Sequence, residues 1–399
     1  MKTLKKTLLA SSIASVALAS TMSVQASSFE SVYKDGSIDL NLRLRSETSD
    51  VDNTKDTALA NTLKTRLTVK SGSVFGLSAL VEADNTTHLT DDFNSTQNGN
   101  SKYNNVVDPE TTQFNQAYVQ YSMEGTTLKA GNQRILLDNQ RHVGGVAFRQ
   151  DEATFDAVSV QSKVADATIF AAVANNRNNI KNENTEETVT LVNAKYAFSK
   201  ELSTSAFYYA IEDVNKADSG IDLDTFGLSA TASAAGFGFY AEVATQNKTT
   251  ATGGDFDTTY LNLSASKKIA GVKATLGYET FGSDGGDAAF ATPLGTNHKF
   301  YGWSDTFLGG AGNNGIQDIY ASAVTKVAGI KLVGQYHNFK SVEGSDPLGN
   351  EFGFVAAKKF GTYGASLKVA QYLASDFAEG LAEPKKDTTK VWLTGTAKF

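Results

Sequence analysis

Beyond residue 26 the chain consists of short stretches in which apolar and polar residues alternate. In 37–47, Ile38, Leu40, Leu42 and Leu44 fall on one face and Asp39, Asn41, Arg43 and Arg45 on the other. In 62–69, Leu63, Leu67 and Val69 oppose Lys64, Arg66 and Thr68. Val272, Ala274, Leu276 and Tyr278 likewise oppose Lys273, Thr275, Gly277 and Glu279. The last stretch sets Val391, Leu393, Ala397 and Phe399 against Thr394, Thr396 and Lys398. A period of two with unlike faces predicts strands with one side in an apolar medium and one in a wet one. About eighteen such segments can be marked, each roughly ten residues long, which suits a tilted strand crossing a bilayer. They are 37–47, 62–69, 75–83, 112–123, 127–134, 153–162, 167–174, 188–198 and 201–212 in the first half. The second half holds 222–233, 237–246, 258–267, 272–281, 316–327, 330–340, 351–360, 363–373 and 389–399. Weak alternation in 127–134 and 153–162 leaves about sixteen strands as the alternative.

The connections alternate in length. Tight turns are expected near 71–73, 124–126, 199–200, 234–236, 328–329 and 361–362. Between them lie polar loops at 48–61, 84–111, 135–152, 175–187, 213–221, 247–257, 282–315, 341–350 and 374–388. A closed antiparallel transmembrane β-barrel with short periplasmic turns and long external loops has this asymmetry. The fold class is therefore all-β. An even strand number also returns both chain ends to the periplasmic side. Phe75, Tyr121, Tyr196, Phe198, Tyr278, Phe360 and Tyr363 lie near strand ends, where interfacial aromatic girdles are expected. Phe399 closes an amphipathic final strand and resembles the terminal signature that outer-membrane barrels show to their assembly machinery.

The N-terminus predicts the compartment. Lys2, Lys5 and Lys6 precede an apolar run over 8–19, and Val24-Gln25-Ala26 fits a small-x-small cleavage pattern. Residues 1–26 are expected to be a secretory signal peptide and 27–399 a single barrel domain in the outer membrane of a Gram-negative cell. Elsewhere no apolar run exceeds about eight residues, too short for a spanning helix.

Composition narrows the chemistry. The 399 residues include no cysteine, so disulfides, thiolate metal sites and cysteine nucleophiles are excluded. The four histidines, His88, His142, His298 and His337, are far apart in sequence, and the formal charge of −7 argues against nucleic acid as a partner. No G-x-S-x-G, H-E-x-x-H or P-loop pattern occurs, so neither an enzyme nor a cofactor is expected. The 282–287 stretch, Gly-Ser-Asp-Gly-Gly-Asp, misses the EF-hand spacing and reads as a flexible loop, with calcium as the alternative.

Two loops are unlike the others. The 135–152 loop is apolar and carries Arg141 and Arg149; 288–308 contains Phe290, Pro293, Leu294, Asn297, His298, Lys299, Phe300, Tyr301, Trp303, Phe307 and Leu308. Apolar loops of that length are costly in water, so both are expected to fold inward and narrow the lumen. An external cap without a selective role is the alternative. By face, Arg43, Arg45, Lys64, Arg66 and Lys129 point into the lumen, with Arg134, Arg141 and Arg149 near its mouth. Arginines in pores favour anions. Alternatively they pair with Glu82, Asp138, Asp156, Glu242 and Glu279 and brace the wall.

The motifs Gly131-Asn132-Gln133-Arg134, Asp138-Asn139-Gln140-Arg141-His142-Val143-Gly144, Phe148-Arg149-Gln150 and Thr154-Phe155-Asp156-Ala157 resemble the alginate-export-type family of outer-membrane porins. So do Ala291-Thr292-Pro293-Leu294-Gly295-Thr296-Asn297-His298-Lys299-Phe300, Gly302-Trp303-Ser304-Asp305 and Gly315-Ile316-Gln317-Asp318-Ile319-Tyr320. The resemblance implies a monomeric barrel of about eighteen strands and an arginine-rich constriction carried over to Arg134, Arg141 and Arg149. Asn132 departs from a family Gly-Arg-Gln triplet. The expected function is passive passage of small hydrophilic solutes, anions among them, in a setting of outer-membrane lipid and lipopolysaccharide. A conduit for an acidic sugar polymer is the nearest alternative. A surface adhesin or structural barrel comes from a different class.

Overall fold

The computed structural model describes residues 32–216, 219–381 and 383–399; the expected signal peptide lies outside the described residues. The chain folds into one closed antiparallel sheet of 18 strands. The first nine are β1 (Ser37–Val51), β2 (Ala58–Lys70), β3 (Leu77–His88), β4 (Thr111–Met123), β5 (Thr126–Gln133), β6 (Thr154–Val164), β7 (Ala167–Asn178), β8 (Thr188–Ala197) and β9 (Leu202–Glu212). The second nine are β10 (Asp222–Ala234), β11 (Phe237–Thr249), β12 (Asp255–Ile269), β13 (Val272–Phe281), β14 (Ile316–Val327), β15 (Ile330–Ser341), β16 (Pro347–Phe360), β17 (Tyr363–Ala374) and β18 (Thr388–Lys398). Each pairs with its sequence neighbours, and β18 closes the ring on β1 in register from Asn41↔Lys398 to Val51↔Thr388. Closure leaves no sheet edge, so a backbone surrounded by hydrocarbon can satisfy its own hydrogen bonds.

Eighteen strands match the larger of the two expected numbers. Several loops are shorter than the sequence pattern indicated, although 213–221 and 282–315 keep their bounds and 135–152 becomes 134–153: the first runs only over 52–57, because β1 and β2 continue past their alternating segments. Ser46, Thr48 and Asp50 occupy outward positions there, and once a strand rises clear of the apolar layer its hydrophobic pattern ceases to report it.

At the opposite rim the turns are tight. Glu124-Gly125, Ala235-Gly236, Ala270-Gly271 and Ala328-Gly329 all have positive φ at both residues. That is the type I′ geometry whose twist matches antiparallel strands, and glycine in the second place tolerates it without steric cost.

The outer surface is apolar: Leu44, Phe114, Leu276 and Leu393 are 51–68% exposed. A wall of such residues is stable against lipid and would be costly against water. Phe360, Tyr363 and Phe399 cluster at the short-turn end of this surface, with the Tyr363 and Phe399 rings edge to face at 6.2 Å. The inner surface is polar at mid-height, but towards the long loops it holds a packed apolar mass. Tyr260, Phe281, Phe290, Tyr301, Phe307, Phe339 and Tyr372 are buried there together. Four of the seven come from strands and three from the 282–315 loop, so this loop lies inside the barrel.

Candidate pore constriction

The 134–153 loop leaves β5, crosses the lumen and lies against β1. Two arginines on the lumenal face of β1 hold it by its backbone. Arg43 donates to the carbonyls of Ala147 (2.9 Å) and Arg149, and its Nε donates to Gln150 Oε1 at 2.8 Å. Arg45 donates to the Phe148 carbonyl at 2.7 Å while its guanidinium lies 4.5 Å above the Phe148 ring. Among the described residues neither forms an ion pair within 4 Å. Their charge is taken up by carbonyl dipoles and a π face, which fixes the loop to one side of the barrel.

Beside this clamp lies a charged cluster. Arg66 grips Asp84 with two 2.6 Å hydrogen bonds and also meets Glu152. Arg134 reaches Glu82 at 3.0 Å and Glu152 Oε2 at 2.8 Å, and Lys64 pairs with Asp84 at 2.7 Å. Asn115 donates to both Glu82 (2.7 Å) and Glu152 (2.8 Å). Burial works against the charge on Glu152, but Arg134 and Arg66 overcome it and hold the carboxyl down to about 2. Its neighbour Asp151 has no such cation in contact, and burial pushes it up to about 7. Asp151 Oδ1 accepts from Gln113 at 2.6 Å, whereas Oδ2 has no hydrogen-bond partner. A neutral carboxyl fits that environment better than an anion.

The second inward loop docks on the first. Arg141 is fully buried, 2.7 Å from Glu279 on β13 and 3.0 Å from Asn297 Oδ1. Its guanidinium lies 4.3–4.7 Å from the rings of Phe281, Phe300 and Tyr301. Arg149 contacts Glu47 of β1 at 3.0 Å and Asp305 at 2.9 Å, with Asp108 at 3.7 Å. Asp305 also receives Lys390 at 3.1 Å and His298 Nδ1 at 2.5 Å. Burial opposes ionisation of Asp305, yet His298, Lys390 and Arg149 keep it well below the usual carboxylate range. His298 stacks on Phe148 at 3.7 Å, and its Nε2 stands 2.6 Å from Lys368 Nζ on β17. Burial first, with Lys368 and Arg149 adding to it, drives His298 down to about 4. Lys299 donates to the Asn139 carbonyl at 3.0 Å, and the Trp303 amide donates to Glu351.

The sequence-selected residues therefore divide. Arg43, Arg66 and Arg134 remain partly open to the lumen, with side-chain exposures of 17% for Arg66 and 25% for Arg134. Arg45, Arg141 and Arg149 do not line the pore as expected; they are buried against the inward loops. Each has more contact with protein than with any passing solute, because a loop that folds inward covers the wall it folds onto. Among the proposed partners, Glu82 and Glu279 do pair with arginines, whereas Glu242 meets His142 at 2.6 Å. Asp138 accepts from Asn193 and Ser205, and Asp156 from Asn132 and Asn176. The missed partners were Glu47, Asp84, Glu152, Asp305 and Lys390. Glu47 and Lys390 share the lumenal parity of Arg45 and Trp392 and could have been found by extending the face assignment.

Two lumenal recesses of ≈ 320 Å³ flank the cluster. Arg43, Lys64, Arg66, Glu82 and Glu152 line one; Lys129, Gln133 and Arg134 line the other. The polar space thus follows the β1–β6 wall, opposite the apolar mass.

The shifted groups make a pH prediction for the loops. A raised Asp151 stabilises its site fully below the ordinary carboxylate range, and that contribution is lost as pH rises through about 7. A depressed His298 works the other way: its contribution is present above the ordinary imidazole value and lost as pH falls through about 4. Limited proteolysis of the folded barrel should show 134–153 cut faster at pH 8 than at pH 6. D151N should abolish that difference; a pH dependence unchanged in D151N would contradict the assignment.

No family model matches the chain, and no curated protein matches it, so the alginate-export resemblance rests on the motifs in 131–157 and 291–320. Solved structures do share the fold. The crystal structure of Acinetobacter baumannii OccAB2 has a TM-score of 0.70 at 15% identity, covering 92% of this chain and 99% of that one. Pseudomonas aeruginosa OccK9 (OpdG) gives 0.68 at 14%, covering 92% and 98%, and Acinetobacter baumannii OccAB4 gives 0.67 at 11%, covering 91% and 98%. The eighteen-strand barrel of this chain is similar in fold to these structures over nearly its whole described length.

Proposed function

We propose that the protein is an outer-membrane channel through which small hydrophilic solutes diffuse passively, with the 134–153 and 282–315 loops setting the width of the path. The observation that carries this reading is the division of the lumen. An apolar mass fills one side, and a charged wall on which Arg43, Arg66 and Arg134 stay partly open is left on the other. Water-lined space beside loops held by many ion pairs is what a size-limited pore requires. Likeness in fold to the OprD/Occ outer-membrane channels supports the same reading. A monomer in lipid and lipopolysaccharide, delivered through β18 and the Phe399 that follows it, belongs to this proposal. An acidic-polymer conduit is less well supported, since Arg141 and Arg149 are buried and matched by carboxylates.

Purified barrel in planar bilayers should give discrete conductance steps. R43A, which releases the loop backbone from β1, should widen the path and raise the unit conductance by about twofold. A barrel that inserts yet stays silent at every voltage and salt concentration would refute the channel reading and favour an adhesive or structural role.

A further inference from the structure

The basic side chains of the constriction are matched by carboxylates, carbonyls or rings; six lysines on the lumenal face near the short-turn mouth are not, among the described residues, although Lys267 and Lys358 on the outward face there lie over the Phe237 and Phe360 rings. Lys268 on β12 stands directly opposite Lys273 on β13, and Lys326 on β14 directly opposite Lys331 on β15. Lys359 of β16 and Lys398 of β18 sit at the same level. Strand parity puts all six on the lumenal face: Lys268 with Asn262, Lys326 with Asp318, Lys359 with Glu351, Lys398 with Lys390. All six are exposed, and among the described residues none forms an ion pair. Lys70, Lys163 and Lys195 repeat the position on β2, β6 and β8, also exposed. Asp39 of β1 is the one carboxylate among the described strand residues on the lumenal face at this level.

Like charges directly opposite on neighbouring strands destabilise a sheet. Two such pairs side by side, with no carboxylate in ion-pair contact among the described residues and with the rim acids Glu124, Asp166 and Glu201 in the turns of other strands, are therefore not explained by the needs of the fold. Neighbouring strands are about 4.8 Å apart, well inside a screening length of about 8 Å at physiological salt. The fields of these lysines overlap, so a passing ion meets one extended positive rim.

We infer that the lysines form a fixed cationic collar that sets the ion preference of the pore and binds multivalent anions arriving from the short-turn side. This rests on the channel reading given above and adds a location to it: selectivity resides in the uncompensated collar at one mouth rather than in the paired arginines at the constriction. The collar is also one-sided. A multivalent anion too large for the constriction can reach it from the short-turn side and is kept from it by the two inward loops on the other.

The test compares the barrel with a K268S/K273S/K326S/K331S variant, whose fold is checked by heat-dependent gel mobility. Since the chain has no cysteine, T362C labelled with a membrane-impermeant thiol reagent reports orientation in the bilayer. In a potassium chloride gradient the variant should lose chloride preference by about threefold. Inorganic tripolyphosphate should block the parent from the short-turn side at about tenfold lower concentration than from the long-loop side, and the variant should lose that difference. Calorimetric binding of tripolyphosphate to the solubilised barrel should vanish in the variant. A conducting parent whose selectivity, block and binding are unchanged by the four substitutions would overturn the collar. A silent parent that still binds tripolyphosphate through these lysines would instead leave the collar standing and refute the channel.

Discussion

R149A should be the most damaging single substitution in the barrel, lowering its unfolding free energy by about 3–5 kcal/mol. Arg149 lies between Glu47, Asp108 and Asp305, all nearly inaccessible to water. Removing it leaves Lys390 and His298 to face Asp305, and leaves Glu47 without a cation within 4 Å among the described residues. The cost is mainly that of an uncompensated buried carboxylate, so R149A/E47Q should recover a measurable part of it. Arg43 and Arg45 hold the same stretch of loop, so the loss should also appear as noisy, larger conductance steps. Equilibrium urea unfolding in detergent reads the first effect and bilayer recording the second. An R149A barrel as stable and as quiet as the parent would show that the cluster does not anchor the loop.

R141M ranks second, again at about 3–5 kcal/mol, for a reason that can be separated from the first. The Arg141 guanidinium packs against three aromatic rings and neutralises Glu279, whose other side-chain partner among the described residues is the Tyr260 hydroxyl, at 2.6 Å. Methionine fills the space between the rings but strands the carboxylate. R141M/E279Q removes the charge as well and should return to within about 1 kcal/mol of the parent. If the double variant is as unstable as the single one, ring packing rather than charge is what Arg141 supplies. Near-ultraviolet circular dichroism distinguishes the cases, because Tyr260, Phe281 and Tyr301 would lose their fixed environment only in the second.

The strands were legible because a bilayer imposes a simple rule on them. Leu44 must be apolar and Arg45 need not be, and that contrast runs along most membrane-facing stretches, weakening in 127–134 and 153–162. It fails where the rule lapses, as in 46–50, where β1 stands clear of the apolar layer and both faces are polar. The inward folding of 135–152 and 288–308 was legible from their apolar content for a similar reason. The partners were not. Arg141 and Glu279 lie on elements that meet only in three dimensions, and Asp305 acquires two cations and a histidine from three separate segments. An arginine on a lumenal face looks the same in sequence whether it meets solute or a folded-back loop. Only the burial of Arg45 and Arg149 beside the half-open Arg43 tells them apart.

The seam between β1 and β18 has a consequence for how the barrel comes into being. Seventeen of the eighteen ladders join strands adjacent in sequence, eight of them through tight turns, so they can zip up locally and in order. The seam alone joins the two ends of the chain, and its outermost backbone bonds, Leu40 to Phe399 in both directions at 2.9–3.0 Å, use the terminal residue itself. Contacts between such distant positions form late, since the whole intervening chain must be gathered first. Until then β1 and β18 expose two free edges able to pair with another chain. A barrel closed by one late seam therefore carries its exposure to edge pairing in the time its sheet stays open, a quantity separate from its stability once closed.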